Sequence, residues 1–213
     1  MTNWEKLING EARCKLPWRL VSYFDVPKNL FDWLKDNASL AKQSNNKWNT
    51  NLVGHIKEEY IINPVSTEFE KWLLDCSNIG PVQKVTDDLN ILSENRNLFL
   101  ESLWVNYGKK YEFNPPHKHS GVLSFVIFLN IPYDLINEEK LYPSVYNNYN
   151  CTSKFAFLNI NQSGNVFADP IDVDKSFEGK MLMFDAQQLH EVYPFYTSDD
   201  YRVTCSGNLK FKV

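Results

Sequence analysis

Short apolar segments follow one another from Leu98 to the C-terminus, separated by turn residues and with no helical pattern between them. Strands that succeed one another without intervening helices pair in antiparallel sheets, which form a barrel or a jelly roll. The aromatic fraction of 15% supports this expectation, because Phe, Tyr and Trp suit the pleated surface of a sheet. The predicted strands cover residues 98–107, 123–129, 155–160, 179–185, 190–194 and 201–205.

The first hundred residues have a mixed character. Apolar residues recur there at helical spacing, and Pro27 suits the first turn of a helix. The predicted helices cover about residues 29–35, 66–76 and 87–92. A chain of 213 residues is long enough for one domain with a substantial core. We therefore expect a mainly β (α+β) protein, in which a helical or mixed region (1–97) packs outside a jelly-roll core (98–213) within one continuous domain.

Composition excludes several classes of function. A net charge of −4 argues against binding to nucleic acid or to an anionic membrane surface. The sequence contains no run of eighteen apolar residues and no basic-then-apolar secretory signal, so the cytoplasm is the expected location. The four cysteines show no CxxC spacing and are expected to be free thiols. The motifs GxSxG, GxxxxGK[ST] and HExxH are also absent.

Two of the four histidines lie directly after an Asn114-Pro115-Pro116 segment. Each proline forces the residue before it into extended geometry, so a helix is excluded at this point. In an extended chain, residues two apart project from the same face. His117 and His119 can therefore direct both imidazoles to one point.

A third imidazole and an arginine lie far downstream. His190 begins a predicted strand, and Arg202 follows it by twelve residues. Together with the His-x-His pair, His190 would complete a three-nitrogen metal site that is open on one side. Neutral imidazoles suit iron, copper, nickel or zinc. Arg202 could hold a carboxylate beside the metal, or it could form an ion pair with Asp185 or Asp199.

These residues carry a resemblance to the 2-oxoglutarate- and Fe(II)-dependent oxygenases, and most closely to small phage and bacterial members of that superfamily. The resemblance covers about residues 51–213 and is strongest over 103–208. It implies a double-stranded β-helix (jelly-roll) fold with Fe(II) at its mouth, and 2-oxoglutarate as cosubstrate. The matching motifs are His117-x-His119, Ser124-Phe125-Val126-Ile127-Phe128-Leu129 and Met183-Phe184-x5-His190-Glu191-Val192-x9-Arg202-x5-Asn208.

The resemblance assigns a role to each matching residue. His117 and His190 correspond to the first and the distal histidine of the superfamily's metal motif. Arg202 corresponds to the basic residue that binds the distal carboxylate of 2-oxoglutarate, and Thr204 to a position that often offers a hydroxyl group to the same molecule.

The sequence departs from the superfamily at His119, where Asp or Glu is usual. No acidic residue occurs from Phe113 to Tyr133. Either His119 is the third metal ligand, or a carboxylate reaches the metal from elsewhere, with Asp185 and Glu191 as the candidates.

The predicted function is thus a non-haem Fe(II)- and 2-oxoglutarate-dependent oxygenase, a hydroxylase that acts with dioxygen on a small molecule or a peptide. If the protein is phage-encoded, it works in the host cytoplasm. Two alternatives stay open: a three-histidine, cupin-like metal enzyme that does not use 2-oxoglutarate, and an inactive phage structural or interaction module on the same fold. Residues 133–150 are the predicted lid. The predicted pocket residues are Trp104, Tyr111, Phe125 and Phe184.

Overall fold

The computed structural model describes residues 21–90, 97–141 and 150–212; Cys14 and residues 142–149 of the predicted lid lie outside these ranges. The described residues form two antiparallel β-sheets with helices on one side. The strands are β1 (Val21–Asp25), β2 (Glu59–Ile61), β3 (Leu98–Gly108), β4 (Asn114–His117), β5 (Leu123–Asn130), β6 (Phe155–Ile160), β7 (Val166–Ile171), β8 (Lys180–Asp185), β9 (His190–Val192) and β10 (Arg202–Phe211).

The major sheet has six strands in the order β1-β8-β5-β10-β3-β2, and the minor sheet has four in the order β4-β9-β6-β7. Neighbouring strands in both sheets are antiparallel. Two facing antiparallel sheets with crossing connections are the arrangement of a jelly roll. The predicted fold class is therefore confirmed.

The helices are α1 (Lys28–Gln43), α2 (Thr67–Ser77), α3 (Pro81–Asn90) and α4 (Leu135–Lys140). Helix α1 follows Pro27, as predicted, and buries one side of its surface through Leu30, Leu34, Ala38 and Ala41. Ser66 caps α2, since its side-chain oxygen accepts a hydrogen bond from the backbone N–H of Phe69 at 3.4 Å. None of the helices within the described ranges is long and apolar enough to cross a membrane.

The major sheet separates two apolar cores. Successive residues of a strand face opposite sides of a sheet, so β5 contributes to both. Phe125 and Ile127 pack with the helices on the outer side. Val126 and Phe128 pack between the two sheets, with aromatic residues of β6 and β8. Burial on both faces explains why β5 is a continuous apolar run instead of an alternating one.

Several predicted boundaries differ from the structure. The first strand, Val21–Asp25, the second, Glu59–Ile61, and the seventh, Val166–Ile171, were not predicted. The third helix begins at Pro81, earlier than expected, and α4 lies within the predicted lid. The division into regions 1–97 and 98–213 stays a prediction, although β1 and β2 from the first region are part of the major sheet. Within the described residues the cysteines are buried free thiols, namely Cys76, Cys151 and Cys205.

Gly207 of β10 leaves no room for a side chain. A Cβ atom there would lie 2.5 Å from the ring atom Cζ of Phe125 and 2.6 Å from the backbone oxygen of Ser102. We expect Gly207→Ala to lower the free energy of unfolding by about 2 to 3 kcal/mol, because β3 and β5 cannot both move aside. Urea denaturation measures this. Gly108→Ala is the control, since its Cβ would meet its nearest neighbour at 3.8 Å; similar losses for both variants would contradict the packing argument.

Candidate metal centre

The pairing of β4 with β9 brings the first two histidines together. His117, the last residue of β4, lies directly opposite His190, the first residue of β9. His119 lies two residues beyond β4, and its backbone is held to the end of β8. Its N–H donates to the carbonyl oxygen of Ala186 at 2.8 Å, and its own carbonyl oxygen accepts from Nε2 of Gln187 at 3.0 Å. The main chain therefore fixes all three positions.

The three imidazoles converge. The ring centroids of His117 and His190 are 4.2 Å apart, and His119 lies 5.0 Å from the first and 5.1 Å from the second. One nitrogen from each ring can be chosen so that all three lie within 4.8 Å of one another. Nitrogens that bind one metal ion at about 2.1 Å each lie at most about 4.2 Å apart, so a small inward rotation of the rings brings all three onto a single ion.

Two of the rings have a fixed tautomer. Nδ1 of His117 is 2.7 Å from the carbonyl oxygen of Pro115, and Nδ1 of His190 is 2.9 Å from that of Gln188. A carbonyl oxygen only accepts hydrogen bonds, so each Nδ1 carries the proton. The lone pair of Nε2 is then available for a metal, which is the usual arrangement of metal-binding histidines.

Burial keeps the three rings neutral. Desolvation lowers the pKa of His117, although the hydrogen bond to Pro115 opposes this effect. Burial lowers the pKa of His119 to about 4, assisted by His117. The pKa of His190 lies well below its ordinary value for the same reason, and the rings of Phe155 and Phe184 lie 5.3 and 4.9 Å from its own. Neutral imidazoles are the form that binds metals.

No carboxylate belongs to this group within the part of the chain that the structure describes. Oδ1 of Asp185 accepts the backbone N–H of Gln187 at 2.8 Å. Glu191 interacts with Tyr193 and Cys151 instead. Of the alternatives that the sequence left open, the geometry therefore favours His119 as the third ligand.

Arg202 is buried, with 5% of its surface exposed. Nη1 donates to the carbonyl oxygen of Tyr193 at 3.0 Å and makes a longer contact of 3.5 Å with that of Ser153. The guanidinium lies 5.3 Å from the centre of the Phe195 ring. Asp199 forms its ion pair with Lys110, at 2.7 Å. Among the described residues, no carboxylate lies within ion-pair distance of Arg202, so its polar partners are carbonyl oxygens and the hydroxyl group of Tyr133.

One cavity of about 930 Å³ connects these groups. Its wall includes the three histidines, Arg202 and Thr204, together with the predicted Trp104, Phe125 and Phe184. Tyr111 was a wrong prediction, because its side chain is 62% exposed and stacks against Tyr196 on the surface. His55 lies apart from the group, with its ring 4.5 Å from that of Phe113.

Asn106 lines the cavity but was missed in the sequence. Its Nδ2 donates to Oγ1 of Thr204 at 3.2 Å, and its buried Oδ1 has no partner. Its position in the middle of a strand of apolar and aromatic residues is the signal that could have identified Asn106. A buried amide is unfavourable unless it has hydrogen-bond partners.

Comparisons with known proteins agree with this geometry. A family model described as "Putative 2OG-Fe(II) oxygenase" matches residues 102–208. A prolyl-4-hydroxylase from Pseudomonas putida shares the fold, with 12% identity, 92% of this chain and 95% of that chain covered, and a TM-score of 0.55. A viral collagen prolyl hydroxylase from Paramecium bursaria Chlorella virus-1 is 13% identical, with 92% and 98% covered and a TM-score of 0.47.

The search of curated proteins gives no match. These comparisons do not support a particular likeness to phage proteins, which stays a prediction. The family match, however, spans half of the chain and includes the three histidines and Arg202. The chain therefore belongs to the 2OG-Fe(II) oxygenase family, enzymes whose cofactors are Fe(II) and 2-oxoglutarate.

Proposed function

We propose that the protein is a hydroxylase in which His117, His119 and His190 hold Fe(II), while Arg202 and Thr204 hold 2-oxoglutarate. The observation that carries the proposal is the convergence of three neutral imidazole nitrogens within 4.8 Å in the cavity that also contains a buried arginine. The prime substrate is a small molecule or a peptide, and dioxygen is the second cosubstrate.

The residues fit an iron ion. Three neutral nitrogen donors on one side are a donor set that suits Fe(II) and leaves further positions open. Unlike a site with one carboxylate, this set adds no negative charge. The full charge of the metal therefore stays available to attract a dianionic cosubstrate.

The residues also fit 2-oxoglutarate. A buried guanidinium needs an anionic partner, and a carboxylate matches its planar donor pattern. Thr204 lies two residues after Arg202 on β10 and lines the same cavity, so its hydroxyl group can assist. Asn106, which already donates to this hydroxyl, holds it in place.

Bound iron and 2-oxoglutarate supply the oxidation of the substrate by dioxygen, with succinate as coproduct. The chain's own residues orient the reactants and exclude water. Phe155 and Phe184 cover His190 on one side. Glu138 of α4, which is completely buried, accepts hydrogen bonds from the hydroxyl of Ser153 and from the backbone N–H of Tyr196 and Thr197.

The hydrogen bonds of Glu138 also affect Arg202. They connect Ser153 with Tyr196 and Thr197. The guanidinium contacts the carbonyl oxygens of Ser153 and of the nearby Tyr193. A fixed guanidinium loses little freedom when the cosubstrate binds. The predicted lid thus includes, in its described part, a helix that helps to orient the cosubstrate site.

The alternatives make different demands on the same residues. A cupin-like enzyme without 2-oxoglutarate requires Arg202 to be paired with a carboxylate of the protein, and the described residues provide none within ion-pair distance. An inactive module requires the three histidines to stay metal-free. Neither demand is favoured by three neutral imidazoles, two of them with a fixed tautomer, in one cavity with a buried arginine.

Succinate release tests the proposed function. We expect the iron-loaded protein to release succinate from 2-oxoglutarate in air. A panel of peptides and small metabolites is then added one by one, and the substrate should increase the rate of succinate release. His190→Ala should lose bound iron and all succinate formation, because a chelate loses one of its three ligands. His55→Ala is the control and should retain both. Iron retention by His190→Ala would show that the metal lies elsewhere.

A second variant tests the role of Arg202. Arg202→Gln keeps an amide donor for the carbonyl oxygen of Tyr193 but removes the charge. We expect it to retain iron while its affinity for 2-oxoglutarate falls between about 10- and 100-fold, as measured by calorimetry on manganese-loaded protein without oxygen turnover. Lys109→Gln removes a cation outside the cavity and should bind as the parent does. Unchanged affinity in Arg202→Gln would disprove the assigned role.

The neutral histidines give the metal-free protein a defined pH dependence. His119 takes up a proton near its ordinary pKa of 6.5 when unfolded but only at about 4 when folded. Between these values the unfolded state binds more protons, so the free energy of unfolding falls as the pH is lowered through that window. His119→Asn should show a shallower fall between pH 7 and pH 5 in urea denaturation. The same slope in both proteins would contradict a buried, neutral His119.

A further inference from the structure

A second polar cluster lines the cavity away from the histidines. Its central residue is Glu59 of β2, of which only 1% is exposed. Oε2 of this carboxylate accepts from Nδ2 of Asn49 at 3.0 Å, whereas the buried Oε1 has no hydrogen-bond partner. Buried carboxylate oxygens rarely stay unpaired, because the desolvation of the group is then uncompensated.

Asn114 presents a second unpaired oxygen to the same space. This residue begins β4, and its buried Oδ1 also lacks a partner. A Cβ atom on Gly54 would lie 3.0 Å from this oxygen and 3.0 Å from Oε1 of Glu59. The two oxygens therefore lie within about 6 Å of each other on one side of Gly54, where a methyl group would contact both. Both are acceptors, so a group that donates hydrogen bonds suits the place between them.

The charges around Glu59 point to a cation. Two lysines that interact with residues next to Glu59 are engaged elsewhere: Lys47 donates to the Tyr60 hydroxyl at 3.3 Å, and Lys42 pairs with Glu58 at 2.7 Å. Among the described residues, no cationic group lies within ion-pair distance of Glu59. Burial, together with the negative charge of Glu112, raises the pKa of Glu59 to about 7. A positively charged ligand would relieve this unfavourable environment.

We propose that Glu59, Asn114 and Gly54 form a cation pocket that binds an ammonium or guanidinium group of the substrate. The inference rests on the proposed function and specifies the substrate class: a molecule or peptide side chain with a positively charged end.

The position of the cation pocket sets the length of such a substrate. Asn114 and His117 are the first and last residues of β4, and three steps along a strand correspond to about 10 Å. A chain of methylene groups can therefore connect a cation at Glu59 with a carbon atom near the histidines. The cavity wall also includes Trp48, Leu52 and Ile56, apolar surfaces that suit methylene groups.

Binding of simple probes tests the cation pocket without any turnover. The full chain is titrated with n-butylammonium, n-butylguanidinium and the neutral n-butanol, and the amide signal of Gly54 is followed by NMR. We expect both cations to shift this signal and to bind at least about tenfold more tightly than butanol, because a charge-assisted hydrogen bond is lost in the alcohol. Equal affinities, or no binding of either cation, would overturn the proposal.

Two variants and a control locate the binding. Glu59→Gln keeps the shape but removes the charge, so the affinity for n-butylammonium should fall about tenfold or more while that for butanol stays the same. Gly54→Ala places a methyl group between the two oxygens and should weaken the binding of both cations. Glu58→Gln changes the preceding residue, whose carboxylate pairs with Lys42, and should bind as the parent does. Undiminished binding by Glu59→Gln would overturn the proposal.

A turnover assay separates the cation pocket from the proposed function. Peptides with lysine or arginine are compared with matched norleucine or citrulline peptides for succinate release. Faster release with the cationic peptides, lost in Glu59→Gln, supports the pocket. Equal release from both sets, unaffected by Glu59→Gln, overturns the pocket and leaves the hydroxylase intact. Glu59-dependent ammonium binding without succinate from any compound supports the pocket and overturns the hydroxylase.

Discussion

The short antiparallel contact between β4 and β9 is the interaction on which the site depends. It places His117 opposite His190, two residues that are far apart in the sequence. The same contact closes the minor sheet over the cavity, so the imidazoles are desolvated as soon as they meet. Desolvation then selects the neutral rings, and the carbonyl oxygens of Pro115 and Gln188 select their tautomers. Geometry, protonation and ligand direction thus have one structural origin.

Those parts of the site that depend on local geometry could be predicted from the sequence. Pro115 and Pro116 force an extended chain, and the two-residue spacing of His117 and His119 then defines a common face. Strands that are buried on both faces were also identified, because their apolar residues form continuous runs. The edge strands β1, β2 and β7 were missed, because short segments with mixed polarity resemble loops until a neighbouring strand supplies their hydrogen bonds.

Contacts between distant polar residues were beyond prediction for a different reason. Glu59 and Asn114 are each ordinary in their local sequence, one in a three-residue strand and the other before two prolines. Only the arrangement of β2 and β4 around Gly54 makes them neighbours, and only burial makes their free oxygens significant. The same is true of Glu138, an acidic residue in a polar segment that the sequence predicted as a loop. Its four hydrogen bonds come from residues 153, 196 and 197.

Charge balance connects these separate features of the cavity. Of the charged side chains in the cavity wall, Arg202 and Glu59 are the buried ones within the described residues, and the three histidines are neutral. In the proposed complex Fe(II) brings two positive charges and 2-oxoglutarate two negative ones, so these components and the two buried side chains sum to zero. The balance is not local, however, because Glu59 lies beside Asn114 at the far end of β4 from His117, about 10 Å along the strand. A buried charge without a nearby partner is unfavourable, and a cationic substrate would pair with Glu59 directly. With His119 as the proposed third ligand, the protein adds no negative charge at the metal, and the buried negative charge of the cavity lies at Glu59 instead, where a substrate can pair with it.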